Sequence, residues 1–438
     1  MEKNRNVNRL RLKKRLIRQR SFRIYRMVTV VFLVFILVVG IVNFVKKDKT
    51  YSETENRMLA QKATMTLANL ASGEYMTDVE NYVTDQFFLR DKWIDLKVMA
   101  DMALGKRESN GVYIGKDGAL LEISDSPDFE ALDRNVAAIN DFAERYSEMN
   151  TVMTLVPNAG YICDQLRPSN APVRDQSEDI FYVSDKLSES VNFVDLTETM
   201  SVHKNESIYY KTDHHWTSLG ASYAFETLCP ALGIEDPVEN YTVYPVANDF
   251  QGTLASKSGY HKSFDTVEIY VPESENMEYI VDYVDEQKKT SSVYVSEALD
   301  QKDKYEVFFG GNYARVDVMM PREENKNLLI FKDSYANCFV QFLIPYYRTI
   351  VMVDPRYYYD NIETVIRDNN ITDVLFLYNV NTFMTDNSLA DVLAEDTEAD
   401  SGVDAGSDNG ADIGSDSGMD AGGSEEIETV ETLEMESV

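Results

Sequence analysis

Apolar and polar residues alternate along this 438-residue chain in a way that predicts buried strands separated by helices. Four short runs rich in β-branched and aromatic residues each stop at a polar loop: residues 151–156, 327–331, 348–353 and 373–378. Apolar residues at helical spacing occupy stretches between these runs. Strands of this kind are buried on both faces, as in a parallel sheet covered by helices. The pattern therefore predicts an α/β fold with a parallel sheet and helices on both faces.

The chain before the first of these strands is mainly helical in pattern. Residues 51–110 carry apolar side chains at helical spacing, and a further helix is predicted over 128–148. Two short strands are predicted at 112–114 and 119–122, around a Lys-Asp-Gly turn. Residues 241–321 instead alternate polar and apolar positions, which predicts a β-rich insert of antiparallel strands within the sheet domain.

One apolar segment is long enough to cross a membrane. Residues 27–45 are interrupted only by Thr29, Gly40 and Asn43, and a helix rising about 1.5 Å per residue needs about 20 residues to span the hydrocarbon layer. Eleven Lys/Arg precede the segment, which predicts a cytoplasmic N-terminus and an extracytoplasmic main domain at the cell membrane. A cleaved signal peptide would have a shorter apolar core and small residues after it, so an uncleaved anchor is favoured.

The net charge of −32 is unevenly distributed. Residues 1–26 carry eleven bases and one acid, residues 391–438 carry sixteen acids and no base, and the body between them carries 31 bases and 57 acids. An acidic body would repel phosphate, so nucleic acid is not an expected partner. Glycine recurs at every fourth residue over 402–422, which predicts a disordered tail; a calcium-binding β-roll fits less well because its repeat is nine residues long.

These patterns divide the chain into five parts. They are a basic cytoplasmic segment (1–26), a transmembrane helix (27–45), a juxtamembrane helical region (46–110), an α/β domain (111–390) and a disordered acidic tail (391–438). Three widely spaced cysteines, Cys163, Cys229 and Cys338, predict buried thiols rather than a disulfide framework.

Two of only four histidines are adjacent, in the segment Asp213-His214-His215-Trp216. An acid two positions before a histidine can hold the imidazole Nδ1–H and leave Nε2 free as a general base, which is half of a catalytic triad. Two alternatives stay open. One is a metal site, disfavoured because adjacent histidines are expected to point apart, and the other is a polar loop that caps a helix beginning near residue 217.

A nucleophile is expected at the carboxyl end of a parallel strand, where an open sheet leaves a crevice. The strand at 327–331 is followed by Lys332-Asp333-Ser334 and then by a helical run, so Ser334 lies where a strand turns into a helix. Backbone N–H groups at such a helix start can stabilise an oxyanion. Alternatively, Asp333 or Ser334 serves only as a helix cap.

The segment Thr212-Asp213-His214-His215-Trp216-Thr217 resembles that of the DHHW proteins, which are similar to alginate O-acetylation proteins with an SGNH hydrolase-like domain. Supporting stretches lie at 52–57, 85–91, 252–257 and 332–334, and the resemblance spans about residues 52–381. It implies a flavodoxin-like SGNH domain in which the Asp-x-His pair precedes the serine, a permuted order. By this resemblance Asp213 orients, His215 is the base and Ser334 is the nucleophile, while His214 and Trp216 shape the loop. Lys332 departs from the glycine that ordinary members of the superfamily have before Asp-Ser.

Several other polar residues are candidates for the same crevice. Asn312, after Gly310-Gly311, could donate to an oxyanion or belong to a plain β-turn. Arg356 and Tyr357 follow the strand at 348–353 and are expected at the crevice edge. His203 and His261 are predicted to be surface residues.

The resemblance implies a membrane-anchored enzyme that transfers an acetyl group through an acyl-serine to a cell-surface or wall polysaccharide, with a multi-pass membrane O-acyltransferase as a possible acetyl supplier. Neither a cofactor nor a metal is expected. The acidic body favours a neutral or cationic polysaccharide as acceptor. A polysaccharide deacetylase or esterase and a non-catalytic polysaccharide-binding protein are the alternatives.

Overall fold

The structure is a computed structural model that describes residues 2–124, 126–238, 240–273, 277–323 and 325–394. The glycine–aspartate repeat predicted to be disordered lies outside these residues. Strands within them are β1 (Tyr51–Ser52), β2 (Arg57–Met58), β3 (Glu108–Ser109), β4 (Val112–Ile114), β5 (Leu120–Glu122), β6 (Asn150–Val156), β7 (Asn192–Asp195), β8 (Tyr241–Phe250), β9 (Asp265–Pro272), β10 (Ile280–Tyr283), β11 (Lys288–Thr290), β12 (Arg315–Met319), β13 (Asn327–Lys332), β14 (Thr349–Val353) and β15 (Asp373–Asn379).

The α-helices of the described residues range from a single turn to 44 residues. They are α1 (Glu2–Val45), α2 (Leu67–Ser72), α3 (Glu74–Asp85), α4 (Arg90–Ala103), α5 (Phe129–Arg145), α6 (Ala159–Ile162), α7 (Gln176–Lys186), α8 (Thr197–Val202), α9 (Ser218–Leu228), α10 (Thr253–Ser258), α11 (Tyr335–Phe339), α12 (Ile362–Asp368), α13 (Val380–Phe383) and α14 (Leu389–Leu393). Short 3₁₀ turns also occur, including one at Lys304–Val307. Helix α14 extends three residues into the range 391–438, which was predicted as a disordered tail.

An eight-stranded sheet forms the centre of the fold, in the order β11-β10-β12-β14-β13-β15-β6-β7. The five strands from β14 to β7 are parallel to one another, and β12, β10 and β11 extend the β14 end through successive antiparallel pairings. The four strands predicted from apolar runs are confirmed as β6, β13, β14 and β15. The sheet is mostly parallel rather than wholly so.

The predicted insert divides into two parts. Its first two strands, β8 and β9, form a separate antiparallel ribbon, whereas β10, β11 and β12 extend the central sheet. The insert is therefore antiparallel, as predicted, but three of its five strands belong to the central sheet.

Both faces of the sheet are buried. Successive residues of β13 point to opposite sides, so that Leu328 and Ile330 join one apolar cluster while Leu329 and Phe331 join the other. Helices α6, α8, α9 and α11 contribute to the first cluster, and helices α5, α7, α12, α13 and α14 contribute to the second. The predicted helices on both faces are confirmed, and all three cysteines are buried free thiols.

The N-terminal part is helical, as predicted. Helix α1 contains a segment long and apolar enough to cross a membrane. Helix α4 packs Ile94, Val98 and Met102 against β4, β5 and α10 of the α/β part.

Candidate functional site

Ser334 lies between the end of β13 and the start of α11, as the sequence predicts. Asp333 is buried and closes this junction, because its Oδ1 accepts from the Tyr335 N–H (2.9 Å) and its Oδ2 accepts from the Asn379 N–H at the end of β15 (2.8 Å). The N–H groups of Ala336 and Asn337 donate to backbone carbonyls. The first helical N–H groups are thus already occupied, and Ser334 keeps its own N–H without a partner among the described residues.

His215 connects the predicted acid and the predicted nucleophile in one hydrogen-bonded path. Its Nδ1 lies 2.5 Å from Asp213 Oδ1, and its Nε2 lies 2.7 Å from Ser334 Oγ. Asp213 and His215 are buried, whereas Ser334 is half-buried. The structure therefore brings together three residues that are separated by up to 121 positions in the chain.

Asp213 is held by the start of α10. Its Oδ2 accepts from the Thr253 N–H (2.7 Å) and from the Thr253 hydroxyl (2.9 Å). Gly252 approaches so closely that a Cβ there would lie 2.2 Å from Asp213 Oδ2. In the 252–257 stretch, Gly252 thus leaves room for the Asp213 carboxylate, and Thr253 holds it with two hydrogen bonds.

The loop that carries Asp213 and His215 is braced on both sides. Thr212 donates its N–H and its hydroxyl to Asp265 Oδ2 (2.8 and 2.6 Å). Trp216 Nε1 donates to the Tyr335 carbonyl (2.9 Å), and the Tyr335 hydroxyl donates to the His214 carbonyl. These bonds tie the loop to the insert and to the residue after Ser334.

The two histidine rings do not point apart, contrary to the sequence-based expectation. Their centroids are 3.8 Å apart, because residues 211–215 form an irregular loop rather than an alternating strand. His214 Nδ1 pairs with Thr253 Oγ1 at 2.7 Å. Ligand atoms of Asp213, His214 and His215 lie within 4.8 Å of one another, so these residues could hold a metal ion. However, both ring nitrogens of His215 are already engaged, and a metal would have to displace one partner.

Tyr305 was not predicted from the sequence, yet it covers His215. The two rings stack with centroids 3.8 Å apart and planes 9° from parallel. The Tyr305 hydroxyl donates to the Ser334 carbonyl (2.9 Å). This tyrosine comes from a 3₁₀ turn of the insert, where no spacing pattern distinguishes it.

The electrostatics keep His215 neutral. Burial lowers the pKa of His215 to about 4, with a further lowering by His214, while Asp213 opposes the shift. Burial alone would raise the pKa of Asp213, but the adjacent His215 and His214 hold it below its ordinary value. The pair therefore presents a carboxylate and an unprotonated imidazole, which is the state that can accept a proton from a hydroxyl.

Lys332 is accommodated beside the site rather than disrupting it. Its ammonium is buried, donates to Asn337 Oδ1 (2.7 Å) and Asn312 Oδ1 (3.5 Å), and lies 3.9 Å from Asp354. Burial lowers the pKa of Lys332 to about 8, although Asp354 opposes the shift. Asn337 Nδ2 also donates to Asn312 Oδ1 (3.2 Å). The oxygen of the exposed Asn312 side chain is thus held by two donors, and its Nδ2 has no hydrogen-bond partner among the described residues.

A polar cleft of about 530 Å³ opens beside His214 and Thr253. Arg356 lines it, as expected for the crevice edge, and is fixed by two hydrogen bonds to Asp354 (2.8 and 2.6 Å). Tyr357 is half-exposed below the Arg356 guanidinium. The remaining lining is largely polar: Glu122, Ile123, Leu254, Lys257, Asn381, Thr382, Thr385, Asp386 and Asn387.

The other two histidines are partly buried and lie outside this cluster. His203 stacks on Tyr223 with centroids 3.6 Å apart and pairs with Glu206 (2.7 Å). His261 lines a separate cavity of about 480 Å³ between α4 and α10, and burial lowers its pKa. Each keeps part of its side chain exposed, so the prediction of surface positions is not contradicted.

The sheet is mostly parallel, and the hydrogen-bonded path Asp213–His215–Ser334 lies at the carboxyl end of strand β13. These two features place the chain among α/β proteins with a site centred on a serine. The sequence profile of the DHHW protein family matches residues 100–353, which is more than half of the chain. The chain therefore belongs to the DHHW family. No curated protein sequence matches it.

Two solved structures share the fold with TM-scores above 0.5, and a third is a weaker match. A DHHW family protein from Eubacterium siraeum is 27% identical, covers 65% of this chain and 95% of its own, and superposes with a TM-score of 0.56. Bacillus cereus PatB1 with a sulfonyl adduct is 21% identical, covers 62% and 95%, and has a TM-score of 0.53. The O-acetyltransferase domain of Pseudomonas putida AlgJ is more distant, at 14% identity, coverage of 64% and 95%, and a TM-score of 0.40.

Proposed function

We propose that this chain is a serine-dependent O-acyltransferase that acetylates a polysaccharide outside the cell membrane. The observation that carries the proposal is the continuous hydrogen-bonded path from Asp213 through His215 to Ser334. A neutral imidazole between a buried carboxylate and a serine hydroxyl is the arrangement that activates a nucleophile. In chain order the acid and base precede the serine, which is the permuted order expected for an SGNH-like domain of this family.

The reaction proceeds in two halves. Ser334 Oγ attacks the carbonyl carbon of an acetyl donor while His215 Nε2 takes the hydroxyl proton, and this proton then passes to the departing group of the donor. A sugar hydroxyl next attacks the acetyl-serine and gives its proton to His215. As the acyl–oxygen bond to Ser334 breaks, His215 returns that proton to the serine. His215 carries the proton in each of these steps.

Two donors are assigned to the oxyanion that forms in each half. The Ser334 N–H has no partner among the described residues, and Asn312 presents its Nδ2 because Lys332 and Asn337 hold its oxygen. Removing one such donor costs about 10²–10³-fold in kcat in serine enzymes. Lys332 is in this proposal a positioning residue, acting through Asn312.

The polar cleft beside His214 is proposed as the acceptor site. Asparagine, threonine and carboxylate groups line it, and these groups suit the hydroxyls of a polysaccharide. Helix α1 would anchor the chain with its N-terminus in the cytoplasm, and a multi-pass membrane O-acyltransferase would supply the acetyl group. The acidic body favours a neutral or cationic polymer.

The test uses the full chain purified in lipid nanodiscs. Wild type, Ser334→Ala and the matched control Ser201→Ala, an exposed serine on α8, are given an acetyl ester with and without neutral or amino-sugar oligosaccharides. Wild type and Ser201→Ala should form O-acetylated oligosaccharide and should be labelled by a fluorophosphonate on Ser334. Ser334→Ala should do neither.

Two results would redirect the proposal. Acetate release that ignores the oligosaccharide would make the protein an esterase or deacetylase with the same three residues. Equal behaviour of wild type and Ser334→Ala in both assays would rule out the enzyme and leave a polysaccharide-binding protein.

A further inference from the structure

The turn between α3 and α4 is attached directly to the end of α1. Asn43, in the last turn of α1, accepts a hydrogen bond from the Phe88 N–H through Oδ1 (2.7 Å). Gln86 exchanges two bonds with the backbone of Lys49, at 3.0 and 2.8 Å. Tyr82 donates its hydroxyl to Asp48 Oδ2 (2.9 Å). If α1 spans a bilayer, this turn must lie where the helix leaves it.

The outer side of this turn and of α4 is apolar and roughly half-exposed in the described part of the chain. Exposed fractions are 37% for Phe87, 56% for Leu89, 43% for Trp93, 51% for Leu96 and 44% for Met99. Trp93, Leu96 and Met99 follow each other at intervals of three residues, which places them along one side of the helix. The opposite side of α4 is already buried against the α/β part. Helix α4 therefore has a second apolar side that the described residues cover only in part.

A group of lysines surrounds the same turn. Lys46, Lys47, Lys49 and Lys92 line a cavity of about 690 Å³ together with Phe87 and Leu89. The ammonium groups of the first three make no ion pair within the described ranges, and Lys92 reaches only the partly exposed Asp95 (3.5 Å). Such cations next to the end of a membrane helix suit anionic lipid headgroups.

We propose that the α3–α4 turn and the outer side of α4 rest on the bilayer surface around the end of α1, with these lysines against lipid phosphates. Tryptophan and lysine are the residues that favour this interfacial depth. The bilayer is favoured over a protein partner because the hydrogen bonds that join Phe88 to Asn43 and Gln86 to Lys49 place the apolar side beside the membrane helix. The inference rests on insertion of α1, and it is independent of the proposed acyl transfer.

Trp93 provides the test, because the only other tryptophan, Trp216, is fully buried. The full chain is placed in nanodiscs whose lipids carry bromine on their acyl chains, and tryptophan emission is compared with that in unbrominated nanodiscs. Emission should fall in wild type and should not fall in Trp93→Phe, where only Trp216 remains. Equal emission of wild type in the two kinds of nanodisc would overturn the proposal and leave this side for a protein partner.

A second experiment tests the contact between the lysines and anionic lipid headgroups. The variant Lys46→Gln/Lys47→Gln/Lys49→Gln is compared with Lys262→Gln/Lys288→Gln/Lys289→Gln, which removes the same charge from exposed positions elsewhere. Adding phosphatidylglycerol to the nanodiscs should increase quenching of Trp93 in wild type and in the second variant, but not in the first. An equal response of the two variants would refute the headgroup contact. Because Ser334 labelling is measured on the same samples, failure here is distinguishable from failure of the proposed enzyme.

Discussion

His215 has few degrees of freedom in this site. Asp213 fixes Nδ1 at 2.5 Å, the Tyr305 ring fixes the imidazole plane by stacking, and Nε2 consequently faces Ser334. Because burial lowers its pKa to about 4, the ring is unprotonated over most of the accessible pH range. Orientation and protonation state are therefore both set before a substrate arrives.

Replacing Asp213 by Asn should show whether the Asp213 carboxylate orients the His215 ring or only fills the space beside it. The amide is nearly isosteric but cannot hold the same tautomer of His215, so kcat should fall by about 10³–10⁴-fold. The measurement is acetyl transfer at neutral pH, with the exposed Asp249→Asn as the control. Wild-type rates in Asp213→Asn would show that His215 does not depend on this carboxylate.

Lys332 and His215 together predict the pH profile. The rate should fall below a pH of about 4 as His215 is protonated, and above a pH of about 8 as the Lys332 ammonium is lost and its hold on Asn312 weakens. Asp354, Arg356 and Asp333 are the other charges near this ammonium. In Lys332→Met the rate should be lower throughout and the alkaline limb should disappear. An unchanged alkaline limb would assign it to another group.

At the scale of elements, the site depends on the insert as much as on the sheet. Strand β13 supplies the junction that carries Ser334, but Gly252, Thr253, Asp265 and Tyr305 all come from the residue range of the insert. The β-rich segment is therefore part of the support for the acid and the base.

Thr253 offers a matched pair of variants for this support. Thr253→Val keeps the shape but removes the hydroxyl that donates to Asp213 Oδ2, whereas Thr253→Ser keeps the donor. A lost hydrogen bond to a charged group is worth about 1.5–3 kcal/mol, so kcat should fall about 10- to 100-fold in the valine variant. The serine variant should stay near wild type. Similar rates in both would mean that the Thr253 backbone N–H alone holds the carboxylate.

Much of the fold was predictable because its central strands are long apolar runs. Strand β7 was missed, since its four residues at the sheet edge are partly exposed and lack such a run. Membership of β10 and β12 in the main sheet was also missed, because alternation indicates a strand but not its neighbours.

The principal site residues were predictable, but their surroundings were not. Asp213, His215 and Ser334 were identified from local spacing, the position after a strand and the family resemblance. In the sequence, Lys332 only departs from the glycine of the superfamily. The partners that hold its buried ammonium, Asn337, Asn312 and Asp354, are not recognisable before the chain is folded. Stacking by Tyr305 is likewise visible only after folding.

On the scale of the whole molecule, charge is the property that acts at long range. Residues 27–390 carry 31 bases and 57 acids, so the field around the folded part is negative. Such a field slows the approach of polyanions, and salt screens it with a Debye length of about 10 Å at 0.1 M.

Acceptor charge should therefore matter most at low salt. Acetylation of an anionic uronate oligosaccharide should be several-fold slower than that of a neutral oligosaccharide of equal length, and added salt should narrow the difference. The measurement is initial rates across ionic strengths, with a neutral acceptor as the salt control. Faster reaction with the uronate at low salt would indicate a local basic groove that dominates the overall field.

The hydrogen bond from Asn379 to Asp333 has a consequence for biosynthesis. Among these groups, the acid and base are made first, the bracing residues next and the nucleophile later, and Asn379, which closes the Asp333 junction, follows them all. In the proposed topology, a chain exported from its N-terminal end delivers these groups in the same order. In that topology, an acetyl donor in the cytoplasm would not meet an assembled Ser334 site, because the site is complete only after the chain through Asn379 has been exported and folded.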